Sequence, residues 1–233
     1  MIVLCRFHEK LGVFKINAVI CACRTIEDEI QYVLEENKID LPVIYMEAGL
    51  HEKPAKLKSA LQETINGISN VDFVLLAYAL CGNGLLGLTS KQAALVLPQY
   101  HDCLAMLLGS DERYRANLGT EMGALFLTRG WIKYFNPKQK LYEVLVPKLG
   151  HEKALRFSKR VLVNYKRFAL VETEAYDQDA AFREMEEQAQ FFDLQTHRIQ
   201  GTLDVLRKLV KGQWDEKFQV IPPGSEIRLW DLT

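Results

Sequence analysis

Two thiols, an imidazole and a carboxylate lie close together in this chain: Cys81 in a Leu-Cys-Gly-Asn-Gly segment, then His101-Asp102-Cys103. Thiolate sulfur and imidazole nitrogen are the donors that zinc and softer ions prefer. No Cys-x-x-Cys pair is present, so the spacing is not that of a zinc finger. Ligands spread over separate chain segments, three from the protein and one position open, describe a catalytic metal site. Cys81, His101 and Cys103 are the first ligand candidates, and Cys23 and His51 could complete or support the sphere. His101 and Cys103 stand two apart, so extended backbone puts them on one side and a helical turn separates them. Asp102 is the candidate carboxylate, as a catalytic group or as the outer partner that orients an imidazole.

A metal-free thiol enzyme reads from the same residues. Cys103 near the start of a helix would feel the positive end of its dipole, and His101 could stabilise the thiolate. Alternatively Cys81 is the nucleophile, with the amides of Gly82, Asn83 and Gly84 forming an anion nest. Glycines in such a segment also simply relieve a tight turn. Ser110 and Tyr114, with Gly109 and Arg113, could line a crevice, and Thr128 to Trp131 could close it. The plain alternative is packing: free cysteine is among the most buried residue types, and Trp131 reads equally well as core.

The elements that must position these groups alternate between strand and helix. Ala18–Cys23 is a β-prone run followed by a helix with Ile26, Ile30, Val33 and Leu34 on one stripe, and Thr25 is the expected cap. Leu41–Met46 is a second strand, and Leu57, Leu61, Ile65 and Ile68 mark the helix after it. Val71–Tyr78 is a third, nearly all apolar, as for a parallel strand covered on both faces. Ala93–Pro98 is a fourth, and Leu104–Gly109 a short helix with a glycine stop. Cys23, His51, Cys81 and His101–Cys103 then sit at four strand exits, which open on one edge of a parallel sheet.

The grammar repeats further on. A β-prone centre at 124–127, a basic helical stretch over 136–165, a strand at 167–172, a helix at 179–192, a strand at 194–199, a helix at 202–210 and a last strand over 220–224 follow in order. The expected fold is α/β, parallel-sheet and Rossmann-like: two similar lobes, residues 1–135 and 136–233, with a cleft between them. The first fifteen residues are expected to add a strand or arm.

Composition narrows the function. The 233 residues are 48% hydrophobic and carry a net charge of -1, which excludes the electrostatic footprint of a nucleic-acid binder. No apolar run approaches the roughly 20 residues that span a bilayer, and the N-terminus lacks the basic start of a secretory signal. A cytoplasmic protein is expected. Five cysteines, few and odd in number, argue against a disulfide scaffold. The basic run from Lys153 to Arg167 reads as a solvated helix face.

Taken together, Ala22-Cys23 with Glu29, Gly49-Leu50-His51 with Pro54, Leu80-Cys81-Gly82-Asn83-Gly84, His101-Asp102-Cys103, Leu108-Gly109-Ser110 with Tyr114, and Thr128-x-Gly130-Trp131 resemble the domain-of-unknown-function 1638 family. The resemblance runs from about Val19 to Ile199. Ala79, where glycine is expected, and Arg129, where proline is commoner, depart from its pattern. It implies a protein associated with corrinoid-dependent methyltransferase systems, where a zinc-thiolate site activates a thiol or binds a methylated substrate. Zinc is the implied cofactor and a corrinoid would come through a partner. The expected partners are a small-molecule substrate or a corrinoid methyltransferase component, and an oligomer is compatible with the sequence.

Overall fold

The structure, a computed structural model, describes residues 16–120 and 123–229; Cys5 and the arm expected over the first fifteen residues lie outside them. The chain is mixed α/β, with one mostly parallel sheet and one fully parallel sheet.

The first sheet contains β1 (Ala18–Cys23), β2 (Val43–Met46), β3 (Phe73–Ala77), β4 (Ala94–Pro98) and, from the far end of the chain, β8 (Phe218–Ile221), in the order β2-β1-β3-β4-β8. β1 is buried at all six positions, because helices cover both faces of a parallel sheet. α1 (Glu27–Glu36) and α2 (Pro54–Gly67) make the crossovers, and α2 turns Leu57, Leu61 and Ile65 inward. From β1 the chain crosses to β2 on one side, then returns to lay β3 on the other side of β1. The loops leaving β1 and β3 therefore diverge at the carboxyl ends of the two strands.

The second sheet has the order β5-β6-β7: β5 (Ala124–Leu127), β6 (Arg167–Glu172) and β7 (Gln195–Gln200). Alternation along β6 serves two cores. Ala169 and Val171 join the core of the first sheet, while Phe168 and Leu170 pack with Ala181, Met185 and Ala189 of α9 (Gln178–Phe191).

Three local expectations need correction. Residues 24–26 form a 3-10 turn, so α1 begins at Glu27 without a side-chain cap, and the Thr25 hydroxyl points at Cys23 instead. The last strand spans Phe218–Ile221 and pairs antiparallel with β4 at the sheet edge; Pro222 and Pro223, which cannot donate to a ladder, end it. The basic stretch is helical but broken: α6 (Pro137–Lys140), a π-turn over 141–145, α7 (Val146–Leu149), a stop at Gly150 (φ 74°), then α8 (His151–Val161). Pro147 removes one backbone donor there.

α5 (Arg129–Tyr134), which follows β5, joins the two sheets. Its Gly130 lies so close to the 24–26 turn that a Cβ there would stand 2.1 Å from the Thr25 carbonyl oxygen. The Thr128 hydroxyl donates to that same carbonyl at 3.1 Å, Arg129 pairs with Asp28 at 2.8 Å, and the Tyr134 hydroxyl donates to Glu27 at 2.7 Å. α10 (Asp204–Lys211) adds a second clamp, with Arg207 reaching both Glu36 and Glu174.

Candidate functional site

Because β1 to β4 run parallel, their four exits share one edge. Past the end of β3, Cys81, Gly82 and Asn83 all take left-handed backbone angles (φ 45°, 65° and 69°). Glycine adopts that region freely and asparagine tolerates it, but a cysteine there is strained by on the order of 1 kcal/mol. The turn lies on the start of α2: a Cβ at Gly82 would meet Pro54 at 3.3 Å, and one at Gly84 would clash with Leu57 at 2.8 Å. The Leu80 and Cys81 amides donate to the carbonyls of Tyr100 and His101 at 3.0 and 3.2 Å, tying the turn to the β4 exit.

That tie brings Cys81 to Cys103, with the two sulfur atoms 3.5 Å apart. Both are free thiols. Cys103 is the first residue of α3 (Cys103–Leu108), whose N-cap is Asp102; the Asp102 carboxylate accepts from the Ala105 amide at 2.8 Å. The Cys103 thiol is raised well above its ordinary pKa by its hydrogen bond with Cys81 and by removal from water. Cys23, buried at the end of β1, accepts from the Thr25 hydroxyl at 3.1 Å; burial and the proximity of Cys103 raise its pKa too. Burial alone pushes Cys21, inside the same strand, up to about 12.

The remaining candidates divide. His101 gives the site its backbone carbonyl, while its side chain is exposed and separated from Cys103 by the helix start. Asp102 is occupied as a cap, and Tyr114 faces it: burial first, then the hydrogen bond to Asp102, raise the tyrosine. The Ser110 hydroxyl accepts from the Arg113 amide at 3.1 Å at the start of α4 (Asp111–Thr120), again a capping role. The His51 and Trp131 rings meet edge to face at 5.2 Å, and Trp131 also meets Phe135 at 5.4 Å. Among the described residues, no three His, Cys, Asp or Glu side chains are grouped to hold one metal ion. The site the structure assembles is a thiol pair with Cys23 beside it.

Two polar groups at this edge were not among the site candidates, although Glu29 is one of the residues that carry the family resemblance. Tyr78 is 2% exposed, its hydroxyl has no partner, and burial followed by Cys23, Cys103, Cys81 and Cys21 raises it. Glu29 is fully buried, no hydrogen bond of good geometry reaches its carboxyl oxygens, and burial, opposed only weakly by its own amide and the nearby Thr173 hydroxyl, pushes it up to about 8. Glu29 was legible in principle, because it falls on the same helical stripe as Ile26, Ile30 and Val33.

No helix among the described residues is long and apolar enough to cross a membrane. No curated protein and no solved structure matches the chain. A family model described as protein of unknown function (DUF1638) matches residues 45–210, a span that holds Cys81 and Cys103 and leaves Cys23 before it; covering more than half of the chain, the match places this protein in that family.

Proposed function

We propose that this protein binds a thiophilic metal ion, zinc first among them, through Cys81 and Cys103. The observation that carries this reading is the 3.5 Å contact between the two sulfurs. Two thiolates held about 2.3 Å from one tetrahedral zinc stand roughly 3.8 Å apart, so little movement is needed. The donor set fits such an ion in two of its positions. Cys23, whose thiol is raised in part by Cys103, is the nearest further candidate, and it would have to move to join the pair as a donor. His51 and His101 fit less well, one ring against Trp131 and the other side chain exposed. When bound, such a metal acts as a Lewis acid or lowers the pKa of a coordinated thiol or water. The chain's own contribution is to hold two sulfurs together beside a strained turn, Cys81 buried and Cys103 partly buried.

The metal-free thiol enzyme is the weaker reading. A catalytic nucleophile needs a lowered pKa, whereas Cys103 is raised. A role in corrinoid-dependent methyl transfer or one-carbon metabolism, in the cytoplasm, with a small substrate or a corrinoid methyltransferase component as partner, rests on the family resemblance alone. A non-catalytic module that holds a corrinoid or a partner is the further alternative. In architecture we read two Rossmann-like lobes with a cleft between them; the β2-β1-β3-β4 order of one sheet and the separate parallel β5-β6-β7 sheet support that.

Elemental analysis of untagged protein, purified without chelators or oxygen, tests the metal reading. About one equivalent of zinc is expected, with loss in both Cys81→Ser and Cys103→Ser and retention in His101→Ala. Less than about 0.2 equivalents, with none regained on titration, removes it.

A further inference from the structure

We propose that the outer face of α8 is the docking surface for an acidic amphipathic helix of a partner protein. The starting point is a connection longer than the fold requires. β5 ends at Leu127 and β6 begins at Arg167, where about a dozen residues make a parallel crossover. The surplus holds α6, the π-turn, α7 and α8.

Two kinds of residue gather in that surplus. Among the described residues, nine large hydrophobic side chains are exposed, and six of them fall between Tyr142 and Val163. Over 138–163 there are also seven Lys and Arg against two acids, Glu143 and Glu152, in a chain whose net charge is -1. α8 shows how the two combine. Ala154, Ser158 and Leu162 face inward. Phe157 and Val161, one turn apart and 53% and 55% exposed, form an apolar shoulder next to that buried stripe. Lys153 and Arg160 lie just beyond the shoulder on the helical wheel.

An apolar shoulder with a basic rim calls for an occupant with the opposite rim. Several classes are disfavoured by what is present. Four of the six, Val144, Leu149, Val161 and Val163, offer nothing for bases to stack on, and Tyr142 already meets His151 and Phe191, which leaves Phe157 as the one aromatic of the shoulder and argues against a stacking platform for nucleic acid. Most of the apolar side chains are only about half exposed, whereas a bilayer takes side chains that insert into it. A two-fold pairing of identical copies would set this basic rim against itself. A helix with leucine-like anchors at i, i+3 and i+4 and carboxylates on its flanks fits both features. This surface is independent of the thiol pair.

The probe is a designed peptide with leucines at i, i+3, i+4 and i+7 and glutamates elsewhere, added to the full chain. Saturable binding with amide-exchange protection confined to about 149–163 is expected. Phe157→Glu and Val161→Glu should each weaken binding roughly tenfold or more. Both positions are exposed, so the unfolding midpoint should not move. Salt at ~1 M, where the screening length falls to about 3 Å, should weaken it further. Absent protection at 149–163, or binding indifferent to both substitutions, overturns the proposal. So does uptake onto phosphatidylserine vesicles, or self-association of the chain alone, that is lost in Val161→Glu; these assign the face to a bilayer or to a second copy.

Discussion

The carboxyl edge of the first sheet and the helical stretch between β5 and β6 depart from ordinary packing in opposite directions. At the edge, polar groups are turned inward. The Tyr78 hydroxyl and the Glu29 carboxyl are buried without hydrogen bonds of good geometry, and two thiols touch behind a strained turn. In the stretch, apolar groups are turned outward under a basic rim. Neither is what folding alone favours, since unpartnered buried polar groups cost stability and exposed apolar surface adds none. Such departures concentrate where a protein does something other than fold. The first region holds polar groups and thiols against the core, and the second leaves apolar and basic side chains on the outside.

The largest effect should come from the point where the edge is closed. Gly130→Ala puts a carbon 2.1 Å from the Thr25 carbonyl oxygen. Both partners are backbone, so no side chain can yield, and the Thr128–Thr25 hydrogen bond lies in the same contact. Destabilisation of roughly 3 kcal/mol or more is expected in urea unfolding. A loss below about 1 kcal/mol would mean that α5 is free to move away from the β1 exit. The edge would then be open, and the contrast with the exposed stretch would weaken.

Glu29 gives the next effect and ties it to pH. Its ordinary carboxyl value of 4.5 rises to about 8 in the fold, because burial disfavours the charged form. The native state therefore holds a proton that the unfolded chain releases above about 4.5. Stability from this group is full below 4.5, falls as pH rises toward 8, and levels off above it. Glu29→Gln removes the titrating proton while keeping the shape. The variant should be more stable than the parent at pH 8 to 9, by a few kcal/mol, and its stability should lose the decline between about pH 5 and 8. Parallel pH profiles of the unfolding midpoint for the two proteins would show that Glu29 is not held neutral inside.

How much of this could be read beforehand follows from what each signal measures. Alternation and apolar runs placed the eight strands among the described residues to within a few residues, and burial on two faces writes itself most plainly into composition: Val71–Tyr78 needed no other clue. Position after a strand also placed Cys23, Cys81 and Cys103 at one edge. Spacing could not say that His101 would contribute its carbonyl rather than its imidazole, since that depends on α3 starting at Cys103. Nor could local pattern reveal that β8 returns to pair with β4, a contact between residues more than a hundred positions apart. The basic run was read as a solvated face. Its charges are exposed, but apolar periodicity carries no record of which side chains remain uncovered.

That last gap sets the smallest effect and the finest discrimination. Val161 and Leu162 are neighbours in sequence and both aliphatic, yet Leu162 is 7% exposed and packs in the second core, while Val161 is 55% exposed. Leu162→Ala should cost about 2–4 kcal/mol through lost burial and the cavity left behind. Val161→Ala should change stability by no more than about 0.5 kcal/mol, and Phe157→Ala by little more. Paired urea titrations of the three variants measure the difference directly. If Val161→Ala approached Leu162→Ala in cost, α8 would be rotated and its apolar shoulder buried within the chain. Near-neutral results at 157 and 161 would instead mean that these side chains contribute almost nothing to folding and are free for the peptide-binding test to probe.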